Sequence, residues 1–363
     1  MMGKAGSALY HALRRFAGRQ DQKKNSHEKD NAPRPHSSLE GNASREPQKT
    51  GCAFHDAAKR WLTGRRGNFS NPFFILLSYL VSMEERLRDI APVSCDEYEN
   101  YFKKRCTVRE FPFEIPFGPV EQTGDIMQFI SRFDHAYLSR MVQSVFIGLI
   151  AFLVRSRGRI DLLDFGAGQT CGMYGESGRF LFTEGKVNTD AVSFWAIDDL
   201  HEPKGSVFRK SRYRQCNILS FDPREKFDLI TGHHVLEHCH DWSAVVGHVA
   251  GLLKKDGYLY LSFPRFGGFY DTVYRLMSPL DHCADFDLHA LEAVAGRAGL
   301  EPCLSDVYVD PNGKFDWICS FYPELVDKQI ADCFYDLCVG IDAKLLLGYH
   351  HYGHYVVFRK VSG

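Results

Sequence analysis

From residue 159 onward, short apolar segments alternate with segments of helical pattern, and this alternation restricts the fold more than any other feature of the sequence. We predict seven strands, at 160–165, 192–197, 213–218, 227–231, 258–263, 304–309 and 354–359. Helices are predicted between them at 241–253 and 288–298. Strands that alternate with helices form a mostly parallel sheet covered by helices on both faces. The expected fold is therefore a doubly wound, Rossmann-like α/β fold with a seven-stranded sheet.

The residues before this alternation divide into two parts. Residues 1–50 are mostly polar and are predicted to be a disordered basic tail. Within that tail, residues 8–20 have the pattern of a short basic amphipathic helix, which is typical of a solvated tail, a membrane or partner contact, or an organelle-targeting segment. Residues 51–156 are predicted to form a helical N-terminal extension. The α/β domain then covers 157–363, with 311–352 inserted before the last strand.

Composition excludes several classes of protein. The formal net charge of −1 gives no attraction to nucleic acid, so no nucleic-acid partner is expected. The 11 cysteines are dispersed without a Cys-x-x-Cys pair, which favours reduced thiols and a cytoplasmic location. The apolar stretches fall short of the roughly 20 residues that span a bilayer, so no transmembrane segment is expected.

Polar residues follow the first three predicted strands, at the point where each strand ends. An open parallel sheet binds ligands at the carboxyl ends of its strands. The loop after the first strand contains glycines that allow a tight turn and close approach to a ligand. The acids after the second strand suit a ribose diol, and the amide and apolar side chain after the third suit an adenine. These candidate cofactor residues are Asp164, Gly166, Ala167, Gly168, Asp198, Asp199, Asn217 and Ile218.

A nicotinamide dinucleotide would use the same edge of the sheet. Its fingerprint requires a third glycine at position 171, which is Cys171 here. Glycines at 172, 175 and 178 also interrupt the helix that should receive the pyrophosphate. An NAD-dependent oxidoreductase is therefore an alternative that the sequence disfavours.

Two later segments resemble class I S-adenosylmethionine-dependent methyltransferases. They are Phe227–His238, with the sequence FDLITGHHVLEH, and Leu252–Pro264, with the sequence LLKKDGYLYLSFP. The resemblance covers about residues 159–310 and is greatest to small-molecule methyltransferases, including those of the ubiquinone pathway. It implies S-adenosyl-L-methionine as cofactor, with the 164–168 loop at its methionine part and Asp198 at its ribose. Asn217 stands where the family usually has an Asp beside the adenine.

The resemblance also implies that His233 and His234 line the methyl-transfer site, with His233 next to the cofactor. Transfer to a hydroxyl requires removal of a proton, and histidine is the natural base near neutral pH. The candidate bases are His233, His234 and His282. In ubiquinone-pathway methyltransferases a Glu-x-x-Glu-His run can hold a divalent metal, whereas here His234 replaces the first acid. We predict a packing role and no metal for this run, and a site at His234, Glu237 and His238 is the alternative.

These observations together predict a methyltransferase that acts on a small-molecule or glycan-like acceptor, most simply at oxygen. A non-catalytic interaction module that keeps the fold is the second alternative. The segment 312–352 is long for a link between two strands. It is expected to build either the acceptor pocket or a homodimer contact.

Overall fold

The computed structural model describes residues 72–115, 120–278, 280–311, 315–321, 323 and 326–361. The predicted tail at 1–50 and its basic helix at 8–20 lie outside the described residues, as does the beginning of the N-terminal extension.

One eight-stranded sheet forms the centre of the described structure. Its strands are β1 Thr107–Val108, β2 Ile160–Phe165, β3 Val192–Asp198, β4 Lys210–Gln215, β5 Phe227–His233, β6 Leu253–Pro264, β7 Leu300–Tyr308 and β8 Gly353–Lys360. Their order across the sheet is β1-β7-β8-β6-β5-β2-β3-β4. Each strand in the run β6-β5-β2-β3-β4 is parallel to its neighbours. By contrast, β8 runs antiparallel to both β6 and β7. The predicted doubly wound α/β fold is confirmed, with β1 added at the edge.

Helices cover this sheet and extend beyond one of its ends. They are α1 Pro72–Arg86, α2 Cys95–Lys103, α3 Ile126–Ser139, α4 Gly148–Arg157, α5 Arg179–Glu184, α6 Trp242–Leu252, α7 Phe269–Met277, α8 Leu288–Arg297, α9 Ile318–Phe321 and α10 Lys328–Leu345. The helices predicted at 241–253 and 288–298 are present as α6 and α8. α2 lies within the predicted helical extension at 51–156, whereas α7 was not predicted.

One predicted strand is displaced by three residues. The prediction of 213–218 depended on the apolar Ile218, whereas the strand is β4, Lys210–Gln215. This strand lies at the edge of the sheet and is largely exposed, so its basic and polar side chains gave no apolar signal. Ile218 instead begins a short 3-10 turn, Ile218–Ser220, in which its side chain is buried.

A single long helical segment leads into the sheet. It comprises α3, a π-helical turn at Arg140–Ile147 and α4. By length and composition alone Ile126–Arg157 could cross a membrane, but 61% of its apolar window is buried inside the protein. Arg140, in the π-helical turn, forms a buried ion pair of 2.8 Å with Asp306. The segment is thus fixed to β7 as well as to the strand that it precedes.

The helices outside the sheet share one hydrophobic cluster. It includes residues of α1, α2, α3, α7 and α10, and Phe73 stacks on Phe334 with ring centroids 5.3 Å apart. At its centre, buried His350 lies between Asp134 and Asp342. These carboxylates raise the pKa of His350 to about 10, against the opposing effect of burial. The segment before β8 therefore packs against the N-terminal helices.

Candidate active site

The loop after β2 has a backbone that requires glycine. Gly166 and Gly168 have φ values of +69° and +61°, in the left-handed region. A Cβ on Gly166 would lie 2.5 Å from Cγ2 of Val235, so this loop packs directly on the segment that follows β5. The N–H of Ala167 donates to the carbonyl of Ile197 at 3.1 Å. The loop is thereby held against the ends of β3 and β5.

Asp198 lies at the end of β3 and faces this loop. Its Oδ2 accepts the N–H of Gly168 at 2.9 Å. Its Oδ1 accepts the N–H groups of Leu200 at 3.0 Å and His201 at 2.9 Å. Three backbone donors thus fix the carboxylate in place, and the neighbouring Asp199 is exposed.

Asp164 is buried beneath the glycine loop, with 4% of its surface exposed. It accepts a hydrogen bond from the hydroxyl of Thr231 at 2.7 Å, and the Tyr174 hydroxyl lies 2.9 Å from that of Thr231. Burial raises the pKa of Asp164 to about 8, in spite of the Thr231 hydrogen bond. A cation placed at this loop would favour the ionised carboxylate.

The third predicted cofactor segment, Asn217 and Ile218, lies in a turn and not at the end of a strand. Oδ1 of Asn217 accepts the N–H of Leu219 at 2.9 Å, which caps the 3-10 turn after β4. The side chain of Ile218 is buried beneath it. The side-chain NH₂ of Asn217 remains as the donor that an adenine could use.

The segment after the glycine loop is unsuited to a pyrophosphate. Cys171 is left-handed, with φ of +58°, and two 3-10 turns, Gly172–Tyr174 and Glu176–Gly178, precede α5. The loop therefore does not lead into the N-terminus of a helix, where a dinucleotide phosphate binds. This geometry disfavours the NAD alternative for the same reason as the sequence.

A cavity of about 130 Å³ lies beyond the ends of β5 and β6. It is lined by His234, Glu237, His238, Pro264, Tyr270, Tyr274, His282 and Tyr352. Two of the predicted bases, His234 and His282, thus meet in one cavity although 48 positions separate them in the chain. His233 is absent from its lining.

His234 is positioned by a buried acid. Its Nδ1 lies 3.0 Å from Oε1 of Glu237, of which 2% is exposed. Its Nε2 is hydrogen-bonded to the hydroxyl of Tyr308. With φ of +50°, His234 has a left-handed backbone, which is uncommon for a residue with a side chain and occurs often at functional sites.

His282 is held in a similar way on the other side of the cavity. Its Nδ1 lies 3.0 Å from Oδ1 of Asp271, which also pairs with Arg275. The ring stacks on Tyr274 with centroids 4.0 Å apart. The imidazole is thereby fixed, with Nε2 directed away from its carboxylate partner.

His233 has different surroundings from the other two histidines. Its Nδ1 lies 3.2 Å from the Ser262 hydroxyl, and its ring packs on Phe146 and Tyr260. Burial and the nearby His234 lower the pKa of His233 to about 3. His233 is therefore neutral and a weak base, which makes it the least suited of the three histidines to proton removal.

The cavity contains a set of ligands that fits a divalent cation. One ligand atom each from Glu237, His238 and His282 lies within 4.8 Å of the other two. Asp281 engages Nδ1 of His238 at 2.9 Å, as Asp271 engages that of His282. Carboxylates behind histidine ligands are typical of metal sites.

Sequence reasoning did not find the residues that support these histidines. Asp271 lies on α7, a helix that the sequence did not predict. Tyr308 and Tyr352 reach His234 through the order of the strands, which no local pattern shows. The one available signal in the sequence was the aromatic content of residues 265–274.

Part of the chain is similar to known methyltransferases. Residues 138–304 match the family model described as "Methyltransferase domain". A segment of 67 residues is 37% identical to the ubiquinone biosynthesis O-methyltransferase of Bradyrhizobium sp. (strain ORS 278). That match covers 18% of this chain and 26% of the relative, so the similarity spans about a quarter of the relative's length.

Two solved structures are similar at low sequence identity. One is the magnesium protoporphyrin IX methyltransferase of Synechocystis PCC 6803 with bound S-adenosylhomocysteine, with 13% identity, a TM-score of 0.37, and coverage of 66% of this chain and 90% of the other. The other is the N-methyltransferase NodS of Bradyrhizobium japonicum WM9, with 14% identity, a TM-score of 0.33, and coverage of 60% and 86%.

The matched residues 138–304 include the glycine loop, Asp198, His233 and the cavity residue His234. Residues 138–304 match a methyltransferase domain, and S-adenosyl-L-methionine is the cofactor that this match and the fold indicate.

Proposed function

We propose that this chain transfers the methyl group of S-adenosylmethionine to a hydroxyl of a small-molecule or glycan-like acceptor. The observation that supports oxygen as the acceptor atom is the pairing of His234 with buried Glu237 in the cavity. A hydroxyl must lose its proton as it is methylated, and this pair supplies a fixed base for that proton.

The reaction is an in-line displacement at the methyl carbon. The acceptor oxygen forms a bond to that carbon as the carbon–sulfur bond breaks, and the electron pair remains on sulfur to give S-adenosylhomocysteine. The Glu237 carboxylate, 3.0 Å from Nδ1 of His234, lies close enough to stabilise the imidazolium, and we assign Nε2 as the atom that receives the acceptor's proton. Nε2 is bonded to the Tyr308 hydroxyl in this structure, and that contact must break before the acceptor hydroxyl takes its place.

The other walls of the cavity are suited to a small ring. Tyr270, Tyr274 and Tyr352 present aromatic surface to a space of about 130 Å³. Such walls favour an aromatic acceptor or the apolar face of a sugar. A divalent cation held by Glu237, His238 and His282 would supply Lewis-acid polarisation of the acceptor hydroxyl.

Two measurements test this proposal in sequence. Isothermal titration with S-adenosylhomocysteine is expected to show micromolar binding, and a folded chain that does not bind would overturn the proposed activity. Release of S-adenosylhomocysteine is then measured with phenols and sugars, each beside its amine analogue. Turnover of the hydroxyl compounds supports oxygen transfer, and turnover of the amines alone contradicts it. Binding without turnover of any acceptor favours the non-catalytic module.

A further inference from the structure

Three polar side chains outside the cavity converge beside Gly348. A Cβ on this glycine would lie 2.7 Å from Nη1 of Arg265, 2.9 Å from Nδ1 of His351 and 2.9 Å from the hydroxyl of Tyr101. Gly348 has φ of +71°, so its backbone also requires glycine. Polar atoms from α2, from the end of β6 and from the turn before β8 therefore surround one point.

These polar atoms lack good hydrogen-bond partners among the described residues. Both ring nitrogens of fully buried His351 are without a partner, as is the Tyr101 hydroxyl. Nη1 of Arg265 reaches the carbonyls of Leu347 and Gly348 at 3.4 and 3.5 Å, at the limit of hydrogen bonding. Buried polar groups are nearly always satisfied, so this group indicates a missing partner.

The same region carries two arginines that form no ion pair with a described carboxylate. The guanidinium of Arg105 lies over the ring of Tyr101, 4.1 Å from its centroid. Burial lowers the pKa of Arg105, and nearby Arg265 lowers it further. Within the described ranges, no carboxylate lies within ion-pair distance of either arginine. Asp342 bonds His350 through Oδ2 and partly offsets the lowered pKa of Arg105 from a distance, and Glu97 caps α2.

A groove of about 490 Å³ gives access to this region. It is lined by Glu97, Asn100, Tyr101, Lys104, Arg105 and Leu346. Lys104 adds a third cationic side chain at the exposed side of the groove. A ligand of the size of a phosphate or of a small organic anion therefore has an open approach to Tyr101 and Arg105.

We propose that Arg105 and Arg265, with Tyr101 and His351, bind an oxyanion, either a phosphate or a carboxylate. The planar guanidinium matches the oxygens of such groups with two parallel hydrogen bonds. Tyr101 and the neutral His351 supply further donors. This site stands independently of methyl transfer, because none of its four side chains belongs to the cofactor loop or to the cavity lining.

The oxyanion site is adjacent to the cavity along the chain. Arg265 directly follows Pro264, which lines the cavity, and its N–H donates to the carbonyl of Tyr352 at 3.3 Å. An anion bound by Arg265 would therefore fix the segments that form one wall of the cavity. The site suits either the anionic group of an acceptor or a separate anionic ligand.

Thermal unfolding of the purified chain tests the site without any cofactor. Inorganic phosphate, glycerol 3-phosphate and acetate are each titrated against potassium chloride at equal ionic strength. We expect at least one of these oxyanions to raise Tm to a plateau as its concentration increases. The compound that does so shows whether the site binds free phosphate, an organic phosphate or a carboxylate. Equal effects of all these salts and chloride would overturn the proposal.

Two variants locate the effect. Arg265→Gln and Arg105→Gln are each expected to require at least ten-fold more oxyanion for the same rise in Tm. Arg209→Gln, a substitution at an arginine with 81% of its side chain exposed, is the matched control and should respond like the wild type. Folding of each variant is checked by circular dichroism. If Arg265→Gln does not fold, Arg105→Gln provides the test, because Arg105 is nearer the surface. A wild-type response in the folded arginine variants also overturns the proposal.

Discussion

The carboxylate of Asp198 accepts the N–H of Gly168 at 2.9 Å, so the acid at the end of β3 and the glycine loop after β2 form one rigid unit. In Asp198→Ala this link and the proposed ribose contact are both lost. We expect S-adenosylhomocysteine affinity to fall about 10- to 100-fold, the range for loss of hydrogen bonds to a charged group. Isothermal titration measures the change.

Asp190→Ala is the matched control for this variant. Asp190 precedes β3, at the opposite end of that strand, and forms a 3.6 Å surface ion pair with Arg209. Its removal should leave the affinity unchanged. Asp198→Ala should also unfold at lower denaturant concentration, because three backbone N–H groups lose their acceptor. Unaltered cofactor affinity in this variant would remove Asp198 from the binding site.

Buried Asp164 predicts a pH dependence of cofactor binding. Since burial raises its pKa to about 8, the carboxyl of the free protein is largely protonated at pH 7. The cationic cofactor favours the ionised form, so binding releases a proton and affinity rises with pH up to about 8. Titration at pH 6–9 in buffers of different ionisation enthalpy counts the released protons. Asp164→Asn should make this profile flat, and a flat wild-type profile would contradict the assignment.

The same group affects the stability of the free protein. The pKa of Asp164 is higher in the folded chain than its ordinary value of 3.8, so folding favours the protonated form. The contribution is present below about pH 4 and is lost as pH rises toward 8. Asp164→Asn should therefore gain stability relative to the wild type over this interval, as measured by urea unfolding at several pH values.

The two glycines of the loop provide a matched pair of variants. Both have positive φ, so alanine at either position costs about 1–2 kcal/mol of backbone strain. A Cβ at Gly166 would also overlap Val235, whereas a Cβ at Gly168 has no atom within 4 Å. We expect Gly166→Ala to lose about 3 kcal/mol or more and Gly168→Ala about half as much. Equal losses in urea unfolding would contradict the packing of this loop on Val235.

The central strands and the cofactor loop were predictable because their signals are local. β2, β3, β5 and β6 are buried and appear as nearly continuous apolar runs, each ending at a polar or glycine-rich turn. The glycine loop depends on a backbone conformation that a few adjacent residues determine. A pattern within about ten residues was therefore sufficient for this half of the site.

The remaining features depend on contacts between distant residues. β1 has two residues and exists because Thr107 pairs with Ser305 on β7. His282 becomes part of the cavity because Asp271 on α7 holds it, and neither the helix nor the contact has a local signal. The oxyanion cluster likewise assembles from three separated segments. Sequence reasoning could identify the histidines but not what orients them.

The His234–Glu237 pair yields the most direct test of the proposed reaction. If Nε2 of His234 receives the acceptor's proton, His234→Ala should lower kcat about 10²- to 10⁴-fold, the usual contribution of a general base. Affinity for S-adenosylhomocysteine should change little, because the cofactor contacts lie at the glycine loop and Asp198.

Glu237→Gln keeps the shape of the side chain but removes its charge, so the imidazolium formed in the reaction loses stabilisation. We therefore expect Glu237→Gln also to lower kcat, measured as release of S-adenosylhomocysteine at saturating acceptor. His248→Ala, on α6 with its ring bonded to the carbonyl of Phe221, is the matched histidine control. A His234→Ala enzyme with wild-type kcat would exclude His234 as the base and leave Asp271-supported His282 as the next candidate.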